Sequence, residues 1–360
     1  MKKVLTIITC LCLCLALSAC SSSSSDNSKK SKSSTDSESL DSSFYKTVNL
    51  GSSANREDIY RSFYSNDDFV NIGRQLQLIS RDKFAINDYY MSDGVKLTKT
   101  DYDNLLKRSS DKSKYPHSLQ PSHGTTIENV TDPIMVSQIC ELDFYSKSGN
   151  DYTLKGMSFG IVIDPRDASN NVLSPKMSSS QAKSYGEKCI EKLYKYLQTK
   201  KTVKDVPYQI CVYLANDDTE NTYNGSYVCG AYCDGSVGSI SDYNYKTYVF
   251  SSDEATTADE ETASNFDVFK NNLKNEASEA IGVVGYGKYE DGSISSMDIQ
   301  LTLNVKTYSE MTYLVSYAAD QLDSQFSGFD IKVTVKYEDG ICAVIIKNSG
   351  SDAQSFMLKE

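Results

Sequence analysis

The stretch that decides the fold lies in the last quarter of the chain and begins Met297-Asp298-Ile299-Gln300-Leu301-Thr302-Leu303-Asn304-Val305. Apolar and polar residues alternate here, which is the pattern of a β-strand with one buried face. Apolar residues then recur at helical spacing from Met311 to Phe326, after Ser309 as a candidate N-cap. Alternation returns from Phe329 to Tyr337. The stretch predicts strand, helix and strand in succession.

Turn signals on both sides extend this pattern into two hairpins. Glu290-Asp291-Gly292-Ser293 follows an incoming strand predicted over 283–289. Asp339-Gly340 leads into a last strand over 341–346. Residues 282–347 therefore form a unit with the order β-hairpin, helix, β-hairpin.

The same order of elements occurs earlier, over residues 136–233. A first hairpin turns at Ser148-Gly149-Asn150-Asp151. A helix follows from Ser178 to Gln198, with Ser178 and Gln181 as a candidate capping box. Strands are predicted over 208–214 and 227–233. We therefore predict an α+β fold of two repeated domains, each an antiparallel sheet of about four strands with one helix packed on its apolar face.

The domain boundaries follow from these units. The first domain is predicted over 44–245, with repeat core 136–233 and an N-terminal extension that carries short helices at 72–79 and 102–106. The second is predicted over 246–360, with repeat core 282–347. An acidic segment, Asp253 to Thr262, leads into an amphipathic helix with Phe266, Phe269 and Leu273.

The first twenty residues have the features of a secretory signal peptide. Lys2-Lys3 precede an apolar run over 4–16, which is too short to span a membrane as a helix. Leu17, Ser18, Ala19 and Cys20 resemble the lipobox of bacterial lipoproteins. That resemblance implies that a signal peptide over 1–19 is removed by the lipoprotein-processing machinery and that the Cys20 sulfur carries a diacylglycerol. The protein would then lie on the outer, extracytoplasmic face of the cell membrane as a lipid-anchored body.

A polar tether and an acidic body are predicted to follow the lipidated cysteine. Residues 20–43 are rich in serine with interspersed charges, so they cannot bury enough apolar surface to fold. The whole chain has 37 basic and 48 acidic residues, a net charge of −11. That balance disfavours nucleic acid as a partner.

The residue types that carry catalysis or bind metals lack the required spacing. His117 and His123 share one loop without the cysteine or carboxylate spacing of a zinc site. Glycines at 282–287 precede a strand and a turn, whereas a phosphate site needs a helix N-terminus. We therefore predict no catalytic residue, no metal and no cofactor. The cysteines at 140, 189, 211, 229, 233 and 342 are interpreted as buried thiols, although export would permit disulfides.

Short motifs along the body resemble the CamS family of sex-pheromone precursor lipoproteins of low-GC Gram-positive bacteria. They are Lys114-Tyr115-Pro116-His117-Ser118-Leu119-Gln120-Pro121, Gly156-Met157-Ser158-Phe159-Gly160, Asp205-Val206-Pro207, Tyr248-Val249-Phe250 before Ser252-Asp253-Glu254, and Gly282-Val283-Val284-Gly285. The resemblance implies a body with two repeats. It also implies that a short apolar peptide can be released from the end of the signal peptide, which here is residues 12–19.

Three functions remain open at this point. The first is a pheromone-precursor lipoprotein whose message lies in the signal segment. The second is a surface lipoprotein that binds a peptide, glycan or partner protein in a cleft between the two repeats, where duplicated domains commonly form sites. The third is an extracytoplasmic enzyme, which would need a concave site with perturbed carboxylate pKa values.

Overall fold

The computed structural model describes residues 36–37, 44–63, 68–108, 114–215 and 225–358. Its strands, in chain order, are β1 (Asp36–Ser37), β2 (Lys46–Val48), β3 (Tyr90–Asp93), β4 (Thr126–Ile127), β5 (Val130–Thr131), β6 (Ile134–Ser148), β7 (Asp151–Arg166), β8 (Tyr208–Leu214), β9 (Ser226–Cys233), β10 (Ser241–Asp242), β11 (Tyr245–Val249), β12 (Gly282–Glu290), β13 (Ser293–Leu303), β14 (Asp330–Tyr337), β15 (Gly340–Lys347) and β16 (Gln354–Met357). Its helices are α1 (Arg56–Phe63), α2 (Asp68–Ser80), α3 (Lys99–Leu106), α4 (Ser179–Leu197), α5 (Asp253–Ala258), α6 (Glu260–Glu276) and α7 (Tyr308–Gln325).

Two mixed sheets organise these elements. The first sheet has eight strands in the order β1-β2-β3-β6-β7-β8-β9-β10, and the second has six in the order β11-β12-β13-β14-β15-β16. Strands β4 and β5 form a separate pair. Both large sheets belong to one compact unit that spans Thr35–Glu360. The prediction of a mixed fold of sheets and helices is confirmed, but the prediction of about four strands in each sheet is wrong because short flanking strands extend both.

The prediction of purely antiparallel sheets is also wrong. β6 and β7 are antiparallel, β7 and β8 are parallel, and β8 and β9 are antiparallel. The second sheet repeats this pattern in β12 to β15, with β13 and β14 parallel. The reason is the helix between the hairpins. α4 and α7 carry the chain back along the sheet, so the next strand begins at the same end as the strand before the helix.

The first sheet is covered by helices on both faces. Alternate residues of β7, including Phe159 and Ile161, pack with Ile190 and Leu193 of α4 in one core cluster. Val162 faces the other way and packs in a second cluster with α1 and α2 residues. The N-terminal extension therefore supplies the cover of the second face, whereas the sequence predicted one helix on one face.

In the part of the chain that the structure describes, helices of the second sheet's own region pack on one of its faces. Its inward residues, such as Ile299 and Val333, form a single cluster with Phe266 and Phe269 of α6 and with Leu314 of α7. Two helices thus share the cover that was predicted for α7 alone. The outward residues of β13 and β14 are polar and at least partly exposed.

The helix starts differ from the predicted ones in detail. α7 is capped by Thr307, whose side chain accepts from the Glu310 amide, and Ser309 lies within the first turn. Ser178 caps α4 by accepting from the Gln181 amide at 3.2 Å, but the predicted capping box is wrong in its second half, because the Ser178 amide donates to Glu128 at 3.2 Å. Both starts satisfy amide groups that have no partner within the helix.

Glycines in two of the quoted motifs make room for aromatic rings. A Cβ on Gly156 would collide with the Phe84 ring, and one on Gly285 would collide with the Phe266 ring. Glycine at these two positions therefore permits close packing of a ring against the strand.

Candidate functional site

The lipidation residues predicted from the sequence lie outside the described part of the chain. They are Leu17, Ser18, Ala19 and Cys20. Their role therefore stays a prediction.

The two loop histidines are separated in the structure. His117 lies against the Tyr196 ring, with 5.2 Å between ring centroids, and His123 Nδ1 lies 3.7 Å from Asp132 Oδ1. Within the described residues, no group of three or more His, Cys, Asp or Glu side chains could hold a metal ion.

The loop that carries the longest quoted motif is joined to β6 by Gln120. Gln120 Oε1 accepts from the Met135 amide at 3.0 Å, and Gln120 Nε2 donates to the Val136 carbonyl at 2.5 Å. The loop and α4 enclose a cavity of about 390 Å³, lined in part by Tyr115 and Lys192. The two Gln120 hydrogen bonds satisfy backbone groups of β6 in the part that β3 leaves unpaired.

Two buried carboxyl groups on β6 have strongly raised pKa values. Burial, reinforced by the neighbouring Asp143, raises the pKa of Glu141 to about 8. Burial likewise raises the pKa of Asp143 to about 6. Glu141 accepts from the Lys96 amide at 2.8 Å and from the Tyr102 hydroxyl at 2.8 Å, and Asp143 accepts from the Val95 amide at 3.0 Å.

Perturbed carboxyl groups often mark catalytic sites. Here their partners are amides of the segment between β3 and α3, together with the hydroxyl groups of Tyr102 and Tyr145. The pair fastens that segment to the sheet, and this structural role accounts for its burial.

A cleft separates α2 from the uncovered face of the second sheet. It has a volume of about 350 Å³. Helix α2, which packs on the first sheet, forms one wall, and strands β11 to β14 of the second sheet form the other. The lining residues are Val70, Asn71, Arg74, Thr247, Tyr286, Lys288, Asp298, Ile299, Gln300, Lys332 and Thr334. The volume falls in the range of small-ligand sites in proteins.

Positive charge is concentrated in this cleft, although the chain is acidic overall. Three lining residues are cationic, namely Arg74, Lys288 and Lys332, and one is acidic, Asp298. Both lysines donate to Asp298, with 3.1 Å between Lys332 Nζ and Asp298 Oδ1. Within the described residues, no hydrogen bond or ion pair engages the Arg74 guanidinium.

The pKa shifts in the cleft agree with this excess of cations. Burial lowers the pKa of Arg74, although Asp298 acts in the opposite direction. Burial also lowers the pKa of Lys288, and Arg74 and Lys332 lower it further against the opposing effect of Asp298. Burial would raise the pKa of Asp298, but the two lysines outweigh it, and the pKa lies below its usual value. An anionic ligand would relieve the repulsion among these cations.

Sequence reasoning placed a binding cleft between the halves but did not identify its residues. Lys288, Asp298 and Lys332 occupy polar positions of alternating strands, which normally face solvent. Arg74 lies on a helix more than two hundred residues earlier, and no local pattern links it to the second sheet. A clue was available in the polar faces of β12 to β14, because Lys288, Asp298 and Lys332 all face outward there.

Comparison with known proteins identifies the family. The model of the CamS sex pheromone cAM373 precursor family matches residues 51–353. The chain belongs to this family. The match spans the central strands of both sheets and nearly all of the described residues, and it leaves out β1, β2 and β16.

Solved structures of CamS-type proteins share the fold. A crystal structure of the sex pheromone precursor from Lactobacillus salivarius superposes with a TM-score of 0.79 at 21% identity, covering 91% of this chain and 99% of that one. The C-terminal domain of the sex pheromone staph-cAM373 precursor from Staphylococcus aureus gives 0.67 at 20% identity, covering 81% of this chain and 97% of that one.

The search of curated protein sequences returned no match. In the part of the chain that the structure describes, no helix combines the length and apolar character needed to cross a membrane.

Proposed function

We propose that this chain is a lipid-anchored, extracytoplasmic CamS-type sex-pheromone precursor without a catalytic role. The observation that carries the proposal is Leu17-Ser18-Ala19-Cys20 directly after a basic and apolar signal segment. Membership of the family supports the precursor role. The partners are the membrane, reached through a diacylglycerol on Cys20, and the lipoprotein-processing machinery.

The body of the proposed precursor consists of two repeated domains, over 44–245 and 246–360. The support is the shared pattern of a hairpin, a crossover helix, a parallel pair and a second hairpin. The tether over 20–43 separates this body from the lipid. By the random-coil estimate it spans about 25–30 Å.

Replacement of the anchor cysteine tests the proposal. Cys20→Ala should leave an uncleaved precursor or release the body into the medium, because the lipid is attached to the cysteine sulfur, which alanine lacks. The measurement is the size of the chain and its partition between membrane and medium. Ser21→Ala is the matched control and should behave as wild type. Processing and membrane retention of Cys20→Ala equal to wild type would contradict the anchor.

A second function is favoured by the cleft between α2 and the second sheet. We propose that the exposed body also binds a peptide, glycan or partner protein there. The support is a cavity of about 350 Å³ in which a half-buried arginine lacks an acceptor within the described residues. Thr334→Trp, which would fill the cleft from β14, should abolish ligand binding and leave thermal unfolding near that of wild type.

A further inference from the structure

The uncovered face of the second sheet continues from the cleft into an apolar strip. Adjacent strands place Lys332 beside Ile346 in the ladder between β14 and β15. One row further along, Thr334 pairs with Val344, and Val344 pairs with Phe356 of β16. Ile346 is 40% exposed and Phe356 48% exposed. A cationic end and an apolar end therefore share one face.

The cationic end is suited to a carboxylate. The planar guanidinium of arginine binds both oxygens of a carboxylate at once, and the Arg74 guanidinium has no such partner within the described residues. Lys332 is the most exposed of the three cations, with 57% of its side chain accessible, so its ammonium group can donate outward as well as to Asp298.

The row of side chains next to Lys332 is suited to peptide groups. Gln300 and Thr334 are ladder partners in the row beside Asp298 and Lys332, and Thr334 pairs in turn with Val344 of the apolar strip. An amide and a hydroxyl can each donate and accept, which matches the alternating N–H and C=O groups of a peptide. An acyl chain offers no partner for these groups. β14 and β16 are two strand spacings apart, about 10 Å, which is the extended length of about three residues.

We propose that this cleft binds the carboxyl end of a short apolar peptide. The carboxylate lies between Arg74 and Lys332, and the apolar side chains lie on Val344, Ile346 and Phe356. The proposal rests on the cleft being the ligand site named under the second function, and it adds the chemistry of the ligand.

Titration calorimetry with two forms of one peptide tests this. The full chain is titrated with N-acetylated trileucine as the free acid and as the C-terminal amide. The acid should bind at least about tenfold more tightly than the amide, because only the acid forms charge-assisted hydrogen bonds with the arginine. Arg74→Gln should remove that difference, and Phe356→Ser should weaken both forms alike.

Lys336→Gln is the matched control. Lys336 lies on the same strand as Lys332 but pairs with Thr302 and Ile341, outside the cleft. This variant should keep the preference for the acid. Thermal unfolding of every variant checks that the fold is retained. A loss of preference in Lys336→Gln equal to that in Arg74→Gln would overturn the proposal, because general surface charge would then explain the binding.

Two further outcomes separate this proposal from the function on which it rests. Equal binding of acid and amide, abolished by Thr334→Trp, would overturn carboxylate recognition and retain the cleft as a site. If neither form binds at millimolar concentration, the peptide is the wrong ligand. Inorganic phosphate is then titrated. Binding that Arg74→Gln removes would keep the site with another ligand, and absence of binding would overturn both.

Discussion

The two large sheets share the connectivity of their central strands and differ in how they are covered. Residues 156–164 of β7 are all buried, since α4 lies on one face and α2 on the other. In β13 and β14, by contrast, buried residues alternate with exposed or half-exposed ones. Continuous burial is typical of a strand inside a covered sheet, and alternation is typical of a sheet with one open face.

The same strand connectivity therefore occurs in a sheet that is covered by helices on both faces and in a sheet whose polar face lines a cleft. In the described part of the chain, helices cover both faces of the central strands of the first sheet. The singly covered sheet presents a polar face, and α2 of the other half closes part of it into a cleft. The helix that completes the core of the first half therefore also forms a wall of the candidate site in the second.

The largest difference in stability between the two sheets is expected when a carboxylate is placed on the corresponding outer face of each. Val162→Asp places a carboxylate in the α2 core, where Val162 is fully buried. It should cost about 4 kcal/mol or more in free energy of unfolding. Thr302→Asp lies on the open face beside Lys336 and should stay within about 1 kcal/mol of wild type.

Urea unfolding followed by circular dichroism measures both values. Equal losses would mean that the outer face of the second sheet is as deeply covered as that of the first, and the comparison would fail.

Between pH 5 and pH 8, the stability of the protein should depend on pH mainly through Glu141 of the first sheet. The pKa of Glu141 is raised by burial from about 4.5 to about 8 in the folded protein. Its contribution is fully present below about pH 4.5 and is lost as the pH rises through 8, because the unfolded chain releases the proton earlier. Glu141→Gln stays neutral and should remove a loss on the order of 3 kcal/mol between pH 5 and pH 8.

Chemical unfolding at the two pH values is the measurement. Asp298→Asn is the control in the second half. The pKa of Asp298 is lowered by its two lysines, so it titrates below this range and its replacement should leave the pH dependence unchanged. An unchanged dependence in Glu141→Gln would show that another group is responsible.

The smallest effect is expected from a methyl group on β12. Gly285→Ala would press on the Phe266 ring and should cost about 1–3 kcal/mol. In Gly282→Ala the new methyl would meet only Thr302, at 3.5 Å, and stability should change by about 0.5 kcal/mol or less. Thermal unfolding compares the two variants. A similar loss in both would point to backbone entropy or strand propensity in place of packing.

Much of the fold could be predicted because the strands next to the crossover helices are long and strongly patterned. The alternation from Met297 to Val305 predicts β13, and the helical spacing from Met311 to Phe326 predicts α7. The parallel pairing could not be predicted, since it depends on where the helix returns the chain. The flanking strands β1, β2, β10 and β16 have two to four residues, too few to show a period.

The candidate site was less predictable than the fold. Alternation along β14 treats Lys332 and Lys336 as equivalent solvent-facing residues. The structure distinguishes them, because Lys332 lies 3.1 Å from Asp298 in the cleft and Lys336 does not line it. The site combines α2 with strands that lie about two hundred residues later in the chain. Such a site depends on tertiary contacts, which cannot be predicted from local patterns in a single sequence.

The cysteines of the body have a consequence for how opening of the protein can be observed. All six are thiols, and five are buried. Burial raises the pKa of Cys189 and of Cys211 to about 12, so their reactive thiolate form is scarce while the fold is closed. A thiol reagent will therefore meet them mainly when strands or helices separate. The rate of thiol modification therefore reports how often the fold opens. Modification of Cys189 reports opening on the α4 side of the first sheet, and modification of Cys211 reports opening on the α2 side.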